Sequence, residues 1–245
     1  MAFDAVKLSA KIEKEFCVDN KRKYYRFRFA KQYGGIATAD VAGCNLRCSY
    51  CWSQNKAWYP ETNGDYFSPK EVAGKLTKLM VENKTGKCRI SGGEPTICRN
   101  HLIEVIKNLP SECLFVLETN GILLGYDPSY IKELSKFSNL HIRLSIKASD
   151  FDMFEQITGA KKEFLSNQIS AVKSIDEAGI SYNLAVMHDL YSEKKYYDFL
   201  EKLEKIIPSV HSKIENEQLI LFNFLKSRVE KRSLIEYLKE SGRIQ

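Results

Sequence analysis

Short runs of β-branched and aromatic residues recur along the chain and alternate with stretches of helical periodicity. Six such runs are IATADVAG from residue 36, CRISGG from 88, LFVLETNG from 114, HIRLSIKA from 141, SYNLAVMH from 181 and LILFNFL from 219. Strands that alternate with helices are typical of βαβ units, in which the strands are parallel. The pattern predicts an α/β fold, either a (β/α)6 partial TIM barrel or an open doubly wound sheet. In both architectures a ligand binds at the carboxyl ends of the strands.

Capping residues mark where several of the intervening helices begin and end. Ser68, Pro69 and Glu71 combine an N-cap serine, a proline at the first helical position and a glutamate at the third. Further helix starts are predicted at Asp127-Pro128, Ser149-Asp150 and Ser192-Glu193, and a helix end is predicted at Gly179.

The first 34 residues precede the first predicted strand of the alternating pattern. We expect residues 1–34 to form an extension, a helix plus a strand or hairpin, and residues 35–245 to form one domain. Residues 21–31 (KRKYYRFRFAK) carry six basic and no acidic residues. Basic residues interleaved with aromatic rings can bind nucleic acid, but the alternation in YRFRF favours a half-buried strand. With the basic tail at 226–243, this segment leaves tRNA as a partner that is not favoured.

The composition excludes several classes of protein. A chain of 245 residues with 44% hydrophobic residues can bury a core without disulfides or a structural metal. The seven cysteines are an odd number, and the N-terminal MAFDAVKLSAKIEKEF contains no apolar region that would direct secretion. No apolar run approaches the roughly 18 residues of a membrane span. We therefore predict a reduced, cytoplasmic protein without a membrane partner.

Three of the seven cysteines lie close together after the first predicted strand, as Cys44, Cys48 and Cys51 in a C-x3-C-x2-C spacing. Three thiolates on one loop can bind a single soft metal centre, and such ligand sets select zinc or an iron-sulfur cluster. A structural zinc site needs a fourth ligand, and no second cysteine pair is present. An iron-sulfur site is favoured, with zinc and simple packing as the alternatives.

The other cysteines carry weaker indications. Cys88 and Cys113 enter predicted strands and are expected to be buried, as cysteine commonly is. Cys17 is expected to pack in the extension. Cys98 follows a strand end closely enough that a role at the site stays open, although a packing role is favoured.

Polar residues gather at the ends of the later strands. In HIRLSIK, Arg143, Ser145 and Lys147 alternate with apolar residues, which predicts one wholly polar face. The third strand ends in LETNG with Glu118 and Asn120. Because charges inside a sheet are costly unless they are paired, we expect Glu118, Arg143 and Lys147 to pair with one another around a polar ligand. His188, at the end of the fifth strand, is more often structural than catalytic.

The cysteine loop and a second motif together resemble the radical S-adenosylmethionine (SAM) enzymes over residues 35 to about 224. The second motif, Ser91-Gly92-Gly93-Glu94-Pro95-Thr96, lies at the end of the second predicted strand. The resemblance implies a (β/α)6 partial barrel. It also implies that Cys44, Cys48 and Cys51 hold a 4Fe-4S cluster whose fourth iron is chelated by the methionyl group of SAM.

The resemblance further implies a binding site for SAM. The backbone around Tyr50 is expected to face the adenine, and the segment Gly92, Gly93 and Glu94 is expected to bind the methionyl ammonium. The other residues expected at this site are Trp52, Glu118, Asn120, Ser145, Lys147 and Met187.

Within the superfamily the chain has some resemblance to glycyl-radical-enzyme activases and to molybdenum-cofactor-type radical SAM proteins. Glu118 in ETNG and Lys147 in SIK match an acid and a lysine of the activases. Ser145 stands where the activases have another acid, and Trp52 where they have a different residue, which puts activase function in doubt more than SAM binding.

The implied function is reductive cleavage of SAM to methionine and a 5′-deoxyadenosyl radical that abstracts hydrogen from a substrate. A low-potential electron donor, flavodoxin or ferredoxin, is implied as a partner. Activation or modification of a protein or peptide is the favoured reaction, and synthesis of a cofactor or a tRNA nucleoside is the alternative. A non-enzymatic iron-sulfur electron carrier and a zinc-stabilised interaction module are remote alternatives.

Overall fold

The structure is a computed structural model that describes residues 1–242. In this part of the chain nine strands form one sheet. The strands are β1 (Cys17–Val18), β2 (Lys21–Ala30), β3 (Ile36–Val41), β4 (Asp65–Phe67), β5 (Lys87–Gly92), β6 (Leu114–Thr119), β7 (Leu140–Ile146), β8 (Ser181–Met187) and β9 (Ile214–Glu217). The helices are α1 (Ala5–Phe16), α2 (Gln54–Trp58), α3 (Pro69–Glu82), α4 (Arg99–Asn108), α5 (Ile122–Tyr126), α6 (Pro128–Leu134), α7 (Phe151–Thr158), α8 (Phe164–Glu177), α9 (Glu193–Glu204), α10 (Asn223–Lys231) and α11 (Leu234–Glu240).

The sheet has the order β1-β2-β3-β5-β6-β7-β8-β9, with β4 paired to β2. All neighbours from β3 to β9 are parallel, whereas β2 pairs antiparallel with β1, β3 and β4. Six parallel strands with helical crossovers confirm the predicted α/β architecture. The strand order ends at β1 and β9, so the described part of the sheet is a partial array and not a closed barrel.

Five of the six predicted strands are present, and the predicted sixth strand at 219–225 is wrong. The sixth parallel strand is β9, and α10 begins within the predicted segment. Ile220, Phe222 and Phe224 expose between 44% and 52% of their surface, so the apolar run does not form a buried strand. β9 has the sequence IENE, in which Glu215 and Glu217 alternate with the uncharged Ile214 and Asn216.

The predicted helix starts are confirmed at Ser68, Asp127, Asp150 and Ser192, each of which caps a helix with its side chain. At Ser68 the capping is reciprocal, since the Glu71 carboxylate also accepts from the Ser68 backbone N–H at 2.7 Å. Such a cap stabilises a helix by about 1 kcal/mol.

The N-terminal residues form the expected helix and hairpin, α1 followed by β1 and β2. Asp19 and Asn20 both have positive φ, as the two central residues of a tight hairpin turn require. Because β2 pairs with β3, the hairpin extends the main sheet. The boundary between an extension at 1–34 and a domain at 35–245 stays a prediction, and residues 243–245, with the end of the basic tail, lie outside the described residues.

The segment YRFRF lies in β2, as its alternation predicts. Its cations are not simply solvated, because Arg26 and Arg28 donate to the buried carboxylate of Asp40 at 2.6 and 3.1 Å.

The core lies between the sheet and its helices. On β7, Ile142, Leu144 and Ile146 are buried while the alternate residues are half-buried on the other face, which confirms the predicted polar face. Cys88 and Cys113 are buried as predicted, with their sulfur atoms 3.9 Å apart. No helix among residues 1–242 is both long and apolar enough to cross a membrane.

Cys17 and Cys98 pack in one small apolar cluster, as expected, but they are not free thiols. Cys17 and Cys98 are joined by a disulfide, with their Cα atoms 6.2 Å apart. The two positions are 81 residues apart in sequence, and only the folding of the β1–β2 hairpin over the start of α4 brings them together. Cys44, Cys48, Cys51, Cys88 and Cys113 are free.

Candidate functional site

The cysteine loop leaves β3 and is fastened at several points by hydrogen bonds to backbone groups. The backbone N–H groups of Arg47 and Ser49 donate to the carbonyl oxygens of Thr158 and Ile157 at 3.0 and 2.9 Å. These carbonyls belong to the last turn of α7, where four such acceptors lack partners within a helix. The Arg47 side chain also donates to the Cys44 carbonyl at 2.6 Å. The loop is therefore fixed before any ligand binds.

The three cysteines of this loop face the same cavity. Burial raises the pKa of the Cys44 and Cys48 thiols, and burial together with the charge of Cys48 raises the pKa of Cys51 to about 11. The Lys147 charge acts in the opposite direction on Cys48. Because thiols bind metals as thiolates, loading of this site with a metal centre releases protons.

The glycines that follow β5 lie against the start of the cysteine loop. A Cβ atom on Gly93 would stand 2.1 Å from the carbonyl oxygen of Gly43, and Gly92 has a φ of +95°. The Gly93 N–H donates to the Val41 carbonyl and the Glu94 N–H to that of Gly43, both at 2.8 Å. The two glycines thus allow the end of β5 to make backbone contact with β3 and the cysteine loop. Their binding to the methionyl ammonium stays a prediction.

Glu94 is almost completely buried, and its carboxylate joins two strand ends. Its Oε1 accepts from the hydroxyls of Thr96 and Thr119, each at 2.6 Å, and from the Thr96 N–H at 3.1 Å. Its Oε2 accepts from the Asn120 N–H at 2.8 Å. Four hydrogen bonds from the chain hold this carboxylate in one orientation at the edge of the cavity.

A cavity of about 180 Å³ opens at the carboxyl ends of the parallel strands. It brings together eleven of the residues expected at the site: Cys44, Cys48, Tyr50, Cys51, Gly92, Gly93, Glu94, Glu118, Asn120, Ser145 and Lys147. Trp52 and Met187 are not in its lining. Trp52 is half-exposed and packs edge-on against Phe222, with ring centroids 5.8 Å apart, and Met187 is buried at the end of β8. Their assignment to the SAM site finds no counterpart in this geometry.

The charged residues of the cavity do not pair as expected. Glu118 accepts from Arg89 at 2.6 Å and from the Ser91 hydroxyl at 2.5 Å. Arg143 instead donates to Glu215 at 2.7 Å and to Glu217 at 2.6 Å. The mutual pairing of Glu118, Arg143 and Lys147 is therefore wrong, because Glu118 pairs with residues of β5 and Arg143 with residues of β9.

The carboxylates of β9 also set the protonation of Arg143. Burial by itself would lower the pKa of Arg143, but hydrogen bonding to Glu215 and the charge of Glu217 outweigh it and raise that pKa. For Glu215, burial would raise the pKa, and the bond and charge of Arg143 lower it below the usual value. Both side chains stay charged within the sheet.

Lys147 is the cation of the cavity without a carboxylate partner among the described residues. Its Nζ donates to the Ser145 hydroxyl at 2.6 Å and lies 5.9 Å from the centre of the Tyr50 ring. Ser145 thus occupies the expected place but orients a lysine of its own strand. An ammonium in this position can bind an anionic group of a ligand.

Several residues that build the site were missed from the sequence. Arg22, in β2, is buried and donates to the carbonyls of Pro95 and Glu94 at 2.6 and 2.5 Å. Its position inside the basic run gave no sign of burial. Arg89 could have been found, because it alternates with apolar residues in CRISGG as Arg143 does in HIRLSIK.

Asn120 links two parts of the site, whereas His188 lies outside the cavity. Asn120 donates to the Asn45 side chain at 2.7 Å and so links the end of β6 to the cysteine loop. His188 packs edge-on against Tyr196, with ring centroids 4.6 Å apart, and does not line the cavity.

The residues around the loop fit an anionic sulfur-rich group. Five buried side-chain atoms there can donate but have no hydrogen-bond partner in the described chain: Nδ2 of Asn45, Oγ of Ser49, Nε1 of Trp58, and Nε and Nη1 of Arg228. Leaving buried donors unpaired costs free energy, and hydrogen bonds to sulfur are a known determinant of iron-sulfur cluster potentials. Within residues 1–242 no three His, Cys, Asp or Glu side chains are placed around a single metal ion. The cluster expected from three cysteines needs its thiolates further apart than one ion does.

The chain is similar to known proteins over most of its length. The Radical SAM superfamily model matches residues 40–203, more than half of the chain. The GTP 3′,8-cyclase of Pasteurella multocida (strain Pm70) is 31% identical over 173 residues, which cover 69% of this chain and 47% of that protein. The GTP 3′,8-cyclase of Haemophilus influenzae (strain PittEE) is 28% identical over 177 residues, 70% of this chain and 50% of that protein. The chain thus spans about half the length of these curated relatives.

The fold has counterparts among solved structures. Streptococcus suis SuiB bound to S-adenosylmethionine superposes with a TM-score of 0.58 at 18% identity, over 81% of this chain and 45% of that one. This likeness shows the α/β fold with its mostly parallel sheet. The family match over residues 40–203 establishes that the chain belongs to the radical SAM superfamily and is an enzyme of that type.

Proposed function

We propose that the cavity at the carboxyl ends of the strands is where this enzyme binds SAM, beside a 4Fe-4S cluster held by Cys44, Cys48 and Cys51. The observation that carries the proposal is the convergence of three free cysteines, the Gly92–Glu94 segment and the polar strand ends on one cavity. Enzymes of this superfamily use both cofactors, and the cluster, when bound and reduced, supplies the electron that cleaves SAM to a 5′-deoxyadenosyl radical.

The chain's own residues would bind and orient SAM. Lys147, which has no carboxylate partner in the described chain, is the cation for the methionyl carboxylate. The Gly92–Glu94 edge, rigid through the bonds of Glu94, faces the ammonium. Tyr50, buried beside Lys147, would lie against the adenine. Glu118 and Asn120 complete the wall on the β6 side.

For the substrate, the sequence relatives favour a small molecule. We propose a nucleotide precursor in the biosynthesis of a cofactor, because the curated relatives are named GTP 3′,8-cyclases and the cavity presents Lys147 to an anion. These relatives give no support to the modification of a protein or peptide, the reaction favoured from the amino-acid sequence alone. A tRNA substrate rests only on the basic segments of the chain.

We also propose that flavodoxin or ferredoxin donates the electron. Radical SAM chemistry needs a reductant near the low end of the cluster range of about −700 to +450 mV, which flavodoxin or ferredoxin can supply.

The proposed cofactor site is tested by Cys48→Ala, with Cys88→Ala as the matched control in the core. After anaerobic reconstitution and reduction with dithionite, Cys48→Ala is expected to form no 5′-deoxyadenosine. Cys88→Ala is expected to form it at the wild-type rate, because Cys88 lies in the core away from the cavity. Wild-type turnover by Cys48→Ala would contradict the proposal.

The substrate proposal is tested separately by turnover of the wild-type protein with a panel of nucleoside triphosphates, tRNA and peptide. A nucleotide substrate is expected to raise the yield of 5′-deoxyadenosine and to be consumed in proportion, as mass spectrometry of the products would show. Stimulation by tRNA or peptide with no response to any nucleotide would replace the nucleotide proposal while leaving the SAM site intact.

A further inference from the structure

Helix α10 brings an arginine from the C-terminal part of the chain to the cysteine loop. The Arg228 Nη2 donates to the carbonyl oxygen of Cys51 at 3.0 Å, although 177 residues separate the two in sequence. The guanidinium lies over the ring of Trp58, 4.9 Å from its centre. Trp52, the residue after Cys51, packs edge-to-face with Phe222, the residue before α10. The position of Arg228 is therefore fixed by a carbonyl and a flat aromatic face.

Two donor atoms of Arg228 are left over after these contacts. Nε and Nη1 are shielded from solvent and have no hydrogen-bond partner among the described residues. Arg47, which also lies near Trp58, differs, because it donates to the carbonyls of Cys44, Leu46 and Trp58. An unpaired buried N–H costs free energy, and a guanidinium keeps its charge at any ordinary pH. Arg228 thus carries a permanent charge and two free donors beside the loop of the metal ligands.

A cluster ligated by three thiolates is anionic, and it gains one more negative charge when it accepts an electron. A fixed cation nearby favours the more negative form, and hydrogen bonds to the sulfurs act in the same sense. As thiolates, the form in which they would hold a cluster, Cys51 and Cys48 are both close enough to Arg228 for their charges to act on it.

We propose that Arg228 raises the reduction potential of the 4Fe-4S cluster by placing a partly buried positive charge and two unpaired N–H donors against its ligand loop. This inference rests on the proposed cluster site, and Arg228 acts there as a positioning and tuning residue that lies outside the SAM cavity. The role makes the cluster easier to reduce by its one-electron donor.

The test is the midpoint potential of the reconstituted cluster, measured by redox titration followed by electron paramagnetic resonance. Arg228→Met removes the charge and the donors. Lys226→Met, at an exposed position on the same helix, is the matched control because it removes the same charge from solvent. Arg228→Lys keeps the charge and loses the planar fork. Iron and sulfide content is measured for every variant.

We expect Arg228→Met to disfavour reduction about tenfold, which for one electron is a potential lower by about 59 mV. Lys226→Met is expected to match the wild type, and Arg228→Lys to lie between the wild type and Arg228→Met. If Arg228→Met does not assemble the cluster, Arg228→Gln, which keeps an amide donor without the charge, is expected to show a fall in the same direction.

The proposal is overturned if an Arg228→Met or Arg228→Gln protein with full iron content has the wild-type potential. It is also overturned if Lys226→Met lowers the potential as much as Arg228→Met does. A wild-type protein that gives no 4Fe-4S signal would overturn the cluster site itself, which is a separate result because it involves no Arg228 variant.

Discussion

Gly93 is a position where a single hydrogen atom in place of a side chain decides whether the end of β5 can lie against the cysteine loop. Gly93→Ala would push its Cβ to within 2.1 Å of the Gly43 carbonyl oxygen, which is backbone and cannot rotate away. We expect a loss of about 3 kcal/mol in the free energy of unfolding of the apoprotein, measured with urea.

The control for that substitution is Gly74→Ala in α3, where the added Cβ meets nothing within 4 Å. Alanine is the better helix former, so this variant is expected to gain about 1 kcal/mol. Equal stability of Gly93→Ala and the wild type would mean that the backbone contact between β5 and the cysteine loop is not as close as described.

His101 is a buried residue whose protonation state couples stability to pH. Its Nδ1 lies 2.8 Å from the Asn20 carbonyl, which can only accept, and its Nε2 lies 3.0 Å from the Tyr24 hydroxyl. In the neutral ring the proton therefore lies on Nδ1. Burial lowers the pKa of His101 from 6.5 to about 4, and the charge of Arg22 acts in the same direction.

Because the unfolded chain binds this proton below pH 6.5 and the folded one does not, the stability from His101 is complete above pH 6.5. It is lost as pH falls from 6.5 towards 4, by about 3 kcal/mol in total. We expect urea denaturation of the apoprotein to show a flatter pH dependence in this window for His101→Gln than for the wild type. Parallel curves for the two proteins would contradict the lowered pKa.

At the scale of the elements, β2 matters to the site although it lies in the N-terminal hairpin. Its Arg22 is 2% exposed and holds the backbone of Glu94 and Pro95, the segment that borders the cavity. The sequence pattern predicts a strand with its cations on a solvated face. This is only partly correct for Arg26 and Arg28, because both also pair with the buried Asp40.

We expect Arg22→Met to lower the free energy of unfolding by about 3 kcal/mol, because it leaves buried carbonyls without a donor. Lys21→Met, exposed on the same strand, should change it by less than about 0.5 kcal/mol. Urea denaturation measures both, and equilibrium dialysis with SAM is expected to show weaker binding for Arg22→Met alone. Equal effects of the two substitutions would contradict the role of Arg22.

The last strand shows where reading elements from sequence fails. The apolar run at 219–225 has the composition of a buried strand but is partly exposed, while the polar IENE forms β9. Glu215 and Glu217 are stabilised there because both carboxylates pair with Arg143 on the next strand but one. A strand whose inward residues are charged has no apolar signal, so only its partner reveals it.

At the scale of the whole molecule, the bond between Cys17 and Cys98 joins the hairpin to the start of α4. We expect alkylation of the denatured protein, without prior reduction, to label five cysteines and to leave one peptide pair linked through Cys17 and Cys98. In Cys17→Ser, Cys98 should become labelled, and peptide mapping by mass spectrometry distinguishes the cases. Labelling of all seven cysteines in the unreduced wild type would contradict the bridge.

The first five parallel strands, the helix caps and the three-cysteine loop could be predicted from the amino-acid sequence, because they depend on residues that are neighbours in the chain. The sequence also indicated which strand ends would meet, since parallel strands share one edge of a sheet. The partners of Glu118, Arg143, Cys17 and Arg228 became visible only in the folded chain. Each of these pairings joins residues far apart in the chain, and its strength depends on distance and burial, which no local pattern encodes.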